Sequence, residues 1–448
     1  MYLSANKARQ DTTAPPAPST PSAIGTTNGT GTTDTGTATG TGRGRVAGTV
    51  IALGTVSLVT DISSEMVTAV LPLYLVLGLG LSPLQFGFLD GLYNGITAFV
   101  RLAGGHIADR WRRHKLVAGS GYALSAVCKL ALLPAGGSIP ALSTALAADR
   151  IGKGIRTAPR DALISLSSDE RHLGRAFGVH RAMDTTGAMI GPLLAFALLW
   201  ATADAYDAVF VVSFCFGVLG VLLLIAFVPG RDELGTLPGA PAAPAAKRPT
   251  ATLRSTLRLL SLPPFRRILL AAALLSLVSV TDGFLYLVLQ NRMRLDAAWF
   301  PLLPLGSATV YLLLAVPLGR AADRVGRRVP FLAGHLALLG AYAALLFPIG
   351  GWPLAGAVLL LHGTYYAATD GILMALAGPL VPPDRRAGGL ALLQTGQATG
   401  RLFASVLFGA AWTAWGVSTA LAAAAVALAA VFAAACFLIP AHAFRETP

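Results

Sequence analysis

Apolar residues run in long, nearly uncharged stretches along this chain, and polar residues gather in short breaks between them. The stretches fall at about 46–77, 85–105, 116–135, 139–158, 174–200, 207–229, 267–290, 299–319, 329–349, 353–381, 389–412 and 416–440. Each is close to the roughly 20 residues that an α-helix needs to cross a bilayer. Turn sequences such as PAGGSIP and PIGGWP separate several of them. The pattern predicts an all-α membrane protein with about twelve transmembrane helices. Residues 1–44 do not follow it. They are rich in Thr, Gly and Pro and nearly free of large apolar side chains, so burial cannot offset the entropy of ordering them. A disordered tail is expected there, without the apolar core and small-residue cleavage site of a secretory signal.

Composition agrees with the spans. The 448 residues are 54% hydrophobic and 12% charged, against roughly 25% charged in soluble domains. The formal charge of +13 would suggest nucleic acid in a soluble protein. Here the basic residues sit in alternate connections: DRWRRHK; Arg160, Arg171 and Arg175; Lys247, Arg248, Arg254, Arg258, Arg266 and Arg267; GRAADRVGRR; and PPDRR. The remaining connections are nearly bare, apart from NRMRLD. By the positive-inside rule both termini are expected in the cytoplasm, in a multi-pass protein of the plasma membrane, and no nucleic-acid partner is expected. Cys128, Cys215 and Cys436 lie in apolar runs with no ligand spacing, and His106, His114 and His362 show none either, so neither metal nor cofactor is expected. The sequence has no nucleotide-binding P-loop and no nucleophile–base constellation, which argues against an enzyme.

The chain also repeats itself. GHIADRWRRHK (105–115) recurs as GRAADRVGRRV (319–329), SDERHLGRAFG (168–178) aligns with PDRRAGGLALL (383–393), and VTDISSEM in the first span answers VTDGFLYL in the seventh. Two pseudo-symmetric six-helix bundles are expected, over 45–230 and 263–440, joined by a polar cytoplasmic linker at 231–262 and followed by a short tail at 441–448. Such halves place a substrate site at the midplane between them. The apolar and basic residues of LRSTLRLLSLPPFRR suit a short helix on the membrane surface.

These features resemble the major facilitator superfamily over roughly residues 46–440. Its loop motif, approximately G-x-x-x-D-R-x-G-R-R/K, is matched by Gly319, Asp323, Arg324, Gly326, Arg327 and Arg328. The first copy matches through Gly105, Asp109, Arg110 and Arg113, with Arg112 where the glycine stands in the second. The resemblance implies that these loops clamp helix ends at a cytoplasmic gate, and that the protein works as a monomer. In the fifth span, GAMIGPLLA resembles the G-x-x-x-G-P motif of proton-linked antiporters through Gly187, Gly191 and Pro192; plain helix packing is the alternative. At the end of the fourth, Arg150 and Gly154 resemble an R-x-x-x-G pattern linked to proton coupling. A structural role facing the loop is the other reading, because Lys153, Arg156 and Arg160 are close by.

A charge at a helix centre costs at least about 2.5–3.5 kcal/mol on insertion scales. Asp61 and Glu65 nevertheless lie near the middle of the first span, one turn apart and on one face. Asp282, Asp370 and Arg401 occupy the seventh, tenth and eleventh, and the fifth carries His180, Arg181 and Asp184. Such residues must face a wet cavity or one another. Two carboxylates one turn apart repel when both are ionised, which suits a group that takes up and releases a proton during a cycle. Arg181 with Asp184, and Arg401 with Asp370, also read as simple ion pairs. Asp90 and Lys129 have no assignment from sequence. Tyr74, Tyr93, Tyr286, Tyr365 and Tyr366 suit either a cavity wall or an interfacial belt.

The expected function is secondary active transport by alternating access: proton-coupled efflux of a small amphipathic or cationic solute. Small-molecule substrate, protons and membrane lipid are the expected partners. The acidic excess among the midplane residues points to cations, and the fifth-span motif to export. Proton-coupled uptake of a nutrient or metal ion is the alternative.

Overall fold

The structure, a computed structural model, describes residues 48–111, 114–168, 172–229, 258–348, 350–382 and 385–439, excepting the side chains of 97–99, 101–111, 158, 166 and 387. The terminal segments and most of the linker singled out above lie outside the described residues. So do Arg112 and Arg113, and the side chains of Gly105, Asp109 and Arg110, whose backbone belongs to the end of the second helix.

Among the described residues the secondary structure is helical. The first half contains α1 (Gly48–Leu73), which continues as a π turn at Tyr74–Gly78, then α2 (Pro83–Trp111), α3 (His114–Ala135), α4 (Ile139–Leu166), α5 (Leu173–Ala201) and α6 (Tyr206–Phe227). The second contains α7 (Pro263–Val278), α8 (Asp282–Met293), α9 (Leu302–Val325), α10 (Arg328–Leu346), α11 (Gly351–Ala377), α12 (Arg386–Trp415) and α13 (Val417–Leu438). Helices α7 and α8 are one apolar crossing interrupted at Ser279–Thr281, so among the described residues these thirteen helices make twelve crossings. Eight crossings are long and apolar enough to span a membrane by composition alone. The other four, α2, α4, α11 and α12, carry much of the polar chemistry described below.

Packing repeats between the halves. In the first, α1 packs on α5 and α6, α3 on α4 and α6, and α2 on α4. In the second, α7 packs on α12 and α13, α10 on α11 and α13, and α9 on α11. Each pair in one bundle has its counterpart six crossings later. The bundles meet through α2 with α12, α5 with α9 and α1 with α8.

Two differences from the sequence reading concern where helices stop. Helix α4 continues to Leu166, so Arg160 is a helical residue and not a loop residue, and Arg175 belongs to the first turn of α5. Pro159 sits inside α4 without ending it. Before α7, residues Arg258–Ser261 form a 3-10 turn, with Leu259 packed on Phe265 and Val381, and the earlier part of the expected surface helix lies outside the described residues.

The repeated loop motif explains itself at the helix ends. Gly326 has φ 89°, which favours glycine, and the turn it makes starts α10. Arg327 then donates to the carbonyl of Ala375 at 2.8 Å and Arg328 to that of Cys436 at 2.5 Å, meeting the C-terminal turns of α11 and α13. In the first half Lys115 does the same for α6, donating to Ile225 O at 3.0 Å. Cations there satisfy orphan carbonyls and complement the negative end of the helix dipole.

Candidate functional site: a central cavity between the two bundles

Helix α4 supplies most of the charge inside the first bundle. Arg150, Lys153, Arg156 and Arg160 recur at the helical period, so they share a face, and that face meets α1, α3 and α5. Arg156 Nη2 lies 3.0 Å from Asp61 Oδ1 with both side chains buried. Lys153 Nζ lies 3.3 Å from Glu65 Oε1, and this pair keeps about a quarter of its surface, 27% and 28%. Arg160 reaches Asp184 at 3.6 Å and donates to Ser57 Oγ at 3.2 Å, where His180 also bonds at 3.0 Å. Arg181 is 3.5 Å from Asp184 and largely exposed. Deeper still, Asp149 accepts from Arg150 at 2.7 Å and from Ser125 at 2.5 Å, with Lys129 at 3.7 Å. The Arg150 guanidinium lies 3.8 Å over the ring of Tyr93, whose hydroxyl bonds Thr68 at 2.8 Å.

The fifth-span motif holds α5 against this network. A side chain at Gly187 would strike the carbonyl of Leu58, and one at Gly191 would meet Glu65 Cβ and Ile62 O, both at 2.9 Å. Close approach of α5 to the Asp61–Glu65 turn therefore depends on glycine.

The second bundle is arranged differently. Asp282 is the first residue of α8, where the unwound Ser279–Thr281 segment gives way to a helix N-terminus that favours negative charge. The Tyr366 hydroxyl is 2.7 and 2.8 Å from its two carboxylate oxygens, and His362 Nε2 is 3.3 Å from one of them. The other ring nitrogen of His362 faces Tyr286 at 3.3 Å and Ser307 at 3.2 Å. Asp282 has no lysine or arginine within ion-pair distance among the described residues, although its side chain is 49% exposed to the interior space.

That space is a cavity of about 460 Å³, within the range of small-molecule sites. Helices α1, α2, α8, α9, α11 and α12 and the Ser279–Thr281 break contribute to its wall. Its ionisable lining is Glu65, Asp90, Asp282, Asp370 and Arg401, joined by Tyr93, Tyr286, Tyr311, Tyr365 and Tyr366. Asp370 and Arg401 both face it but form no ion pair; the Arg401 guanidinium instead lies 6.0 Å from the Tyr366 ring. Asp61, Arg181 and Asp184 do not line it, being held in the α1–α4–α5 network. No group of three metal-ligating side chains occurs among the described residues.

Asp90, which sequence left unassigned, joins the bundles. From α2 it accepts from Thr281 and from Ser405, each at 2.7 Å, and Asn94 supports it at 3.1 Å. Around it α2 and α12 touch backbone to backbone: a side chain at Gly91 would come within 2.7 Å of Leu402 O. Phe284 stacks edgewise on Phe86 at 4.8 Å and on Phe408 at 4.9 Å, and Phe196 meets Trp299 at 5.4 Å. These contacts lie at the end of the bundles away from the basic connections. The cavity is thus sealed on one side by the meeting of the halves.

Sequence reasoning singled out Arg150 but read Lys153, Arg156 and Arg160 as charges near a loop, because the α4 stripe lies where an apolar run gives way to polar residues. Its spacing was the available signal. His362 was missed for the opposite reason: its partner, Asp282, is remote in sequence.

Residues 53–310 and 302–448 match the Major Facilitator Superfamily. An uncharacterized MFS-type transporter of Methanocaldococcus jannaschii is 28% identical over 368 residues, 80% of this chain and 87% of that one. An uncharacterized protein of Mycobacterium tuberculosis is 32% identical over 205 residues, 45% of this chain and 50% of its own length. Among solved structures, the nucleoside transporter NupG (D323A mutant) is similar with a TM-score of 0.73 at 14% identity, over 87% of this chain and 100% of that one. A POT family transporter in complex with 5-aminolevulinic acid reaches 0.70 at 14% identity, covering 87% and 96%. The fold, the sealed cavity between matching halves and these matches together make the chain an integral membrane transporter that belongs to the major facilitator superfamily.

Proposed function

We propose that the protein is a proton-coupled exporter of small organic cations, with Asp282 carrying the exchanged proton. The observation behind this reading is the imbalance of the cavity: four carboxylates face it against one arginine. Glu65 is matched by Lys153, whereas among the described residues Asp90, Asp282 and Asp370 have no lysine or arginine in ion-pair contact, and Asp282 has only the imidazole of His362 at 3.3 Å. The five tyrosines of the wall add faces on which a cation is attracted.

In the cycle we infer, the basic connections face the cytoplasm and the sealed end faces outward. A cationic solute entering from the cytoplasmic side binds beside Asp282 and Asp370. The proton on Asp282 leaves toward the cytoplasm as the solute's charge replaces it. The bundles then rock, the contacts of Asp90 with Thr281 and Ser405 part, and the outer side opens. A proton from outside returns to Asp282, the solute leaves, and the neutralised site permits the return. Each turn moves one proton in for one cation out through this carboxylate. Direction rests on the resemblance of Gly187, Gly191 and Pro192 to the antiporter motif.

A thermal-shift screen of organic cations, followed by transport in proteoliposomes under an imposed pH gradient, tests this reading. A binding cation should accumulate against its gradient when protons flow the other way. Binding without gradient-driven accumulation, or accumulation of anions only, contradicts it.

A further inference from the structure

A second cavity, of about 610 Å³, lies outside the central one as a groove between α7 and α12. Leu270, Leu274 and Leu277 form one wall, and Leu392 and Phe403 form the other. Leu270 and Phe403 are 47% and 54% exposed, and the hydroxyls of Thr395 and Thr399 donate to carbonyls of their own helix. The body of the groove therefore offers an apolar surface. Its mouth does not. Arg266 and Arg267, in the first turn of α7, line the end nearest the basic connections, and both are exposed. Arg258, in the preceding turn, and Arg386, the first residue of α12, are exposed at the same end. None of these four arginines is ion-paired to a described carboxylate. Leu259 holds that turn in place against Phe265 and Val381.

An apolar trough below and cations unpaired to any described carboxylate above, in the first turn of α7 at the end of the basic connections, match an amphiphile with an anionic head. We propose that the groove binds one anionic phospholipid from the leaflet on the basic side. An acyl chain lies along α7 and α12, and the phosphate rests on Arg266 and Arg267. A zwitterionic lipid fills the trough equally well but brings its own cation to the mouth, so it gains less from the arginines. Each basic residue near a membrane surface favours anionic lipid about fivefold, so the pair predicts a preference of roughly thirtyfold. The site has a bearing on transport because α7 leads into the break before Asp282, and α12 presents Arg401 to the central cavity.

Native mass spectrometry of the full chain, with dioleoyl phosphatidylglycerol or dioleoyl phosphatidylcholine added at equal concentration, tests the proposal. The protein should retain one phosphatidylglycerol in preference to phosphatidylcholine. R266Q/R267Q should lower that retention roughly thirtyfold and leave phosphatidylcholine unchanged, whereas R266K/R267K should keep most of it. Thr399→Phe, which fills the trough, should lower retention of both lipids. Equal retention of the two lipids, or unchanged phosphatidylglycerol binding in R266Q/R267Q, overturns the proposal. So does a change of oligomeric state in Thr399→Phe without loss of lipid, which would give the groove to a second copy of the chain.

Discussion

Asp61 and Glu65 occupy successive turns of α1, yet their carboxylates end in different surroundings. Asp61 is buried against Arg156, while Glu65 and Lys153 share an ion pair at the cavity edge. Removing one partner of a buried pair leaves an uncompensated charge, at a cost of about 3–5 kcal/mol. Arg156→Leu should therefore lower the melting temperature sharply, and the double change Asp61→Leu with Arg156→Leu should recover much of the loss. Lys153→Leu should cost about 1 kcal/mol or less, because water screens that pair. Equal losses for the two single variants would contradict the placement. The acidic residues were legible in sequence because a charge stands out inside an apolar run. Their partners were not, since Arg156 and Arg160 sit where the run ends and resemble loop charges until the helix is seen to continue to Leu166.

Helix α7 shows why elements were only partly legible. Residues 267–290 read as one apolar crossing, and nothing in Ser279–Thr281 carries the glycine or proline that marks a break. Tertiary contacts hold it open: Tyr342 accepts from the backbone of Val280 at 2.7 Å, and Thr281 donates to Asp90. Ser405→Ala combined with Thr281→Ala should loosen the seal between α2 and α12, seen as faster labelling of cavity cysteines from the sealed side; unchanged labelling would remove Asp90 from this role. Partial burial, and then the like charge of Asp296, push the Asp204 carboxyl up in the connection between α5 and α6. If the sealed state holds that proton more tightly than an opened one, lowering the pH through the carboxylate range favours the seal, and raising it weakens the seal. Asp296→Asn should flatten that dependence in a labelling experiment run across pH; an unaltered profile would show that the two charges do not interact through the gate.

At the scale of the whole molecule, the two-bundle plan was legible because the loop motif and the spans both repeat, and matching helix pairs follow from that repeat. Which carboxylates face the cavity was not legible, because it depends on how two bundles meet. Ala308 lines the cavity on α9. In a background without reactive cysteines, Ala308→Cys should label with a membrane-impermeant thiol reagent from the side of the basic connections and resist it from the other. The reverse result would invert the proposed orientation. The central claim is that a cation entering the cavity displaces a proton from Asp282. Proton release can be read directly with a pH indicator, by adding a binding organic cation to purified protein in weak buffer. The wild type should release close to one proton per cation bound, and Asp282→Asn should bind the cation while releasing none; equal release from both proteins would contradict the account.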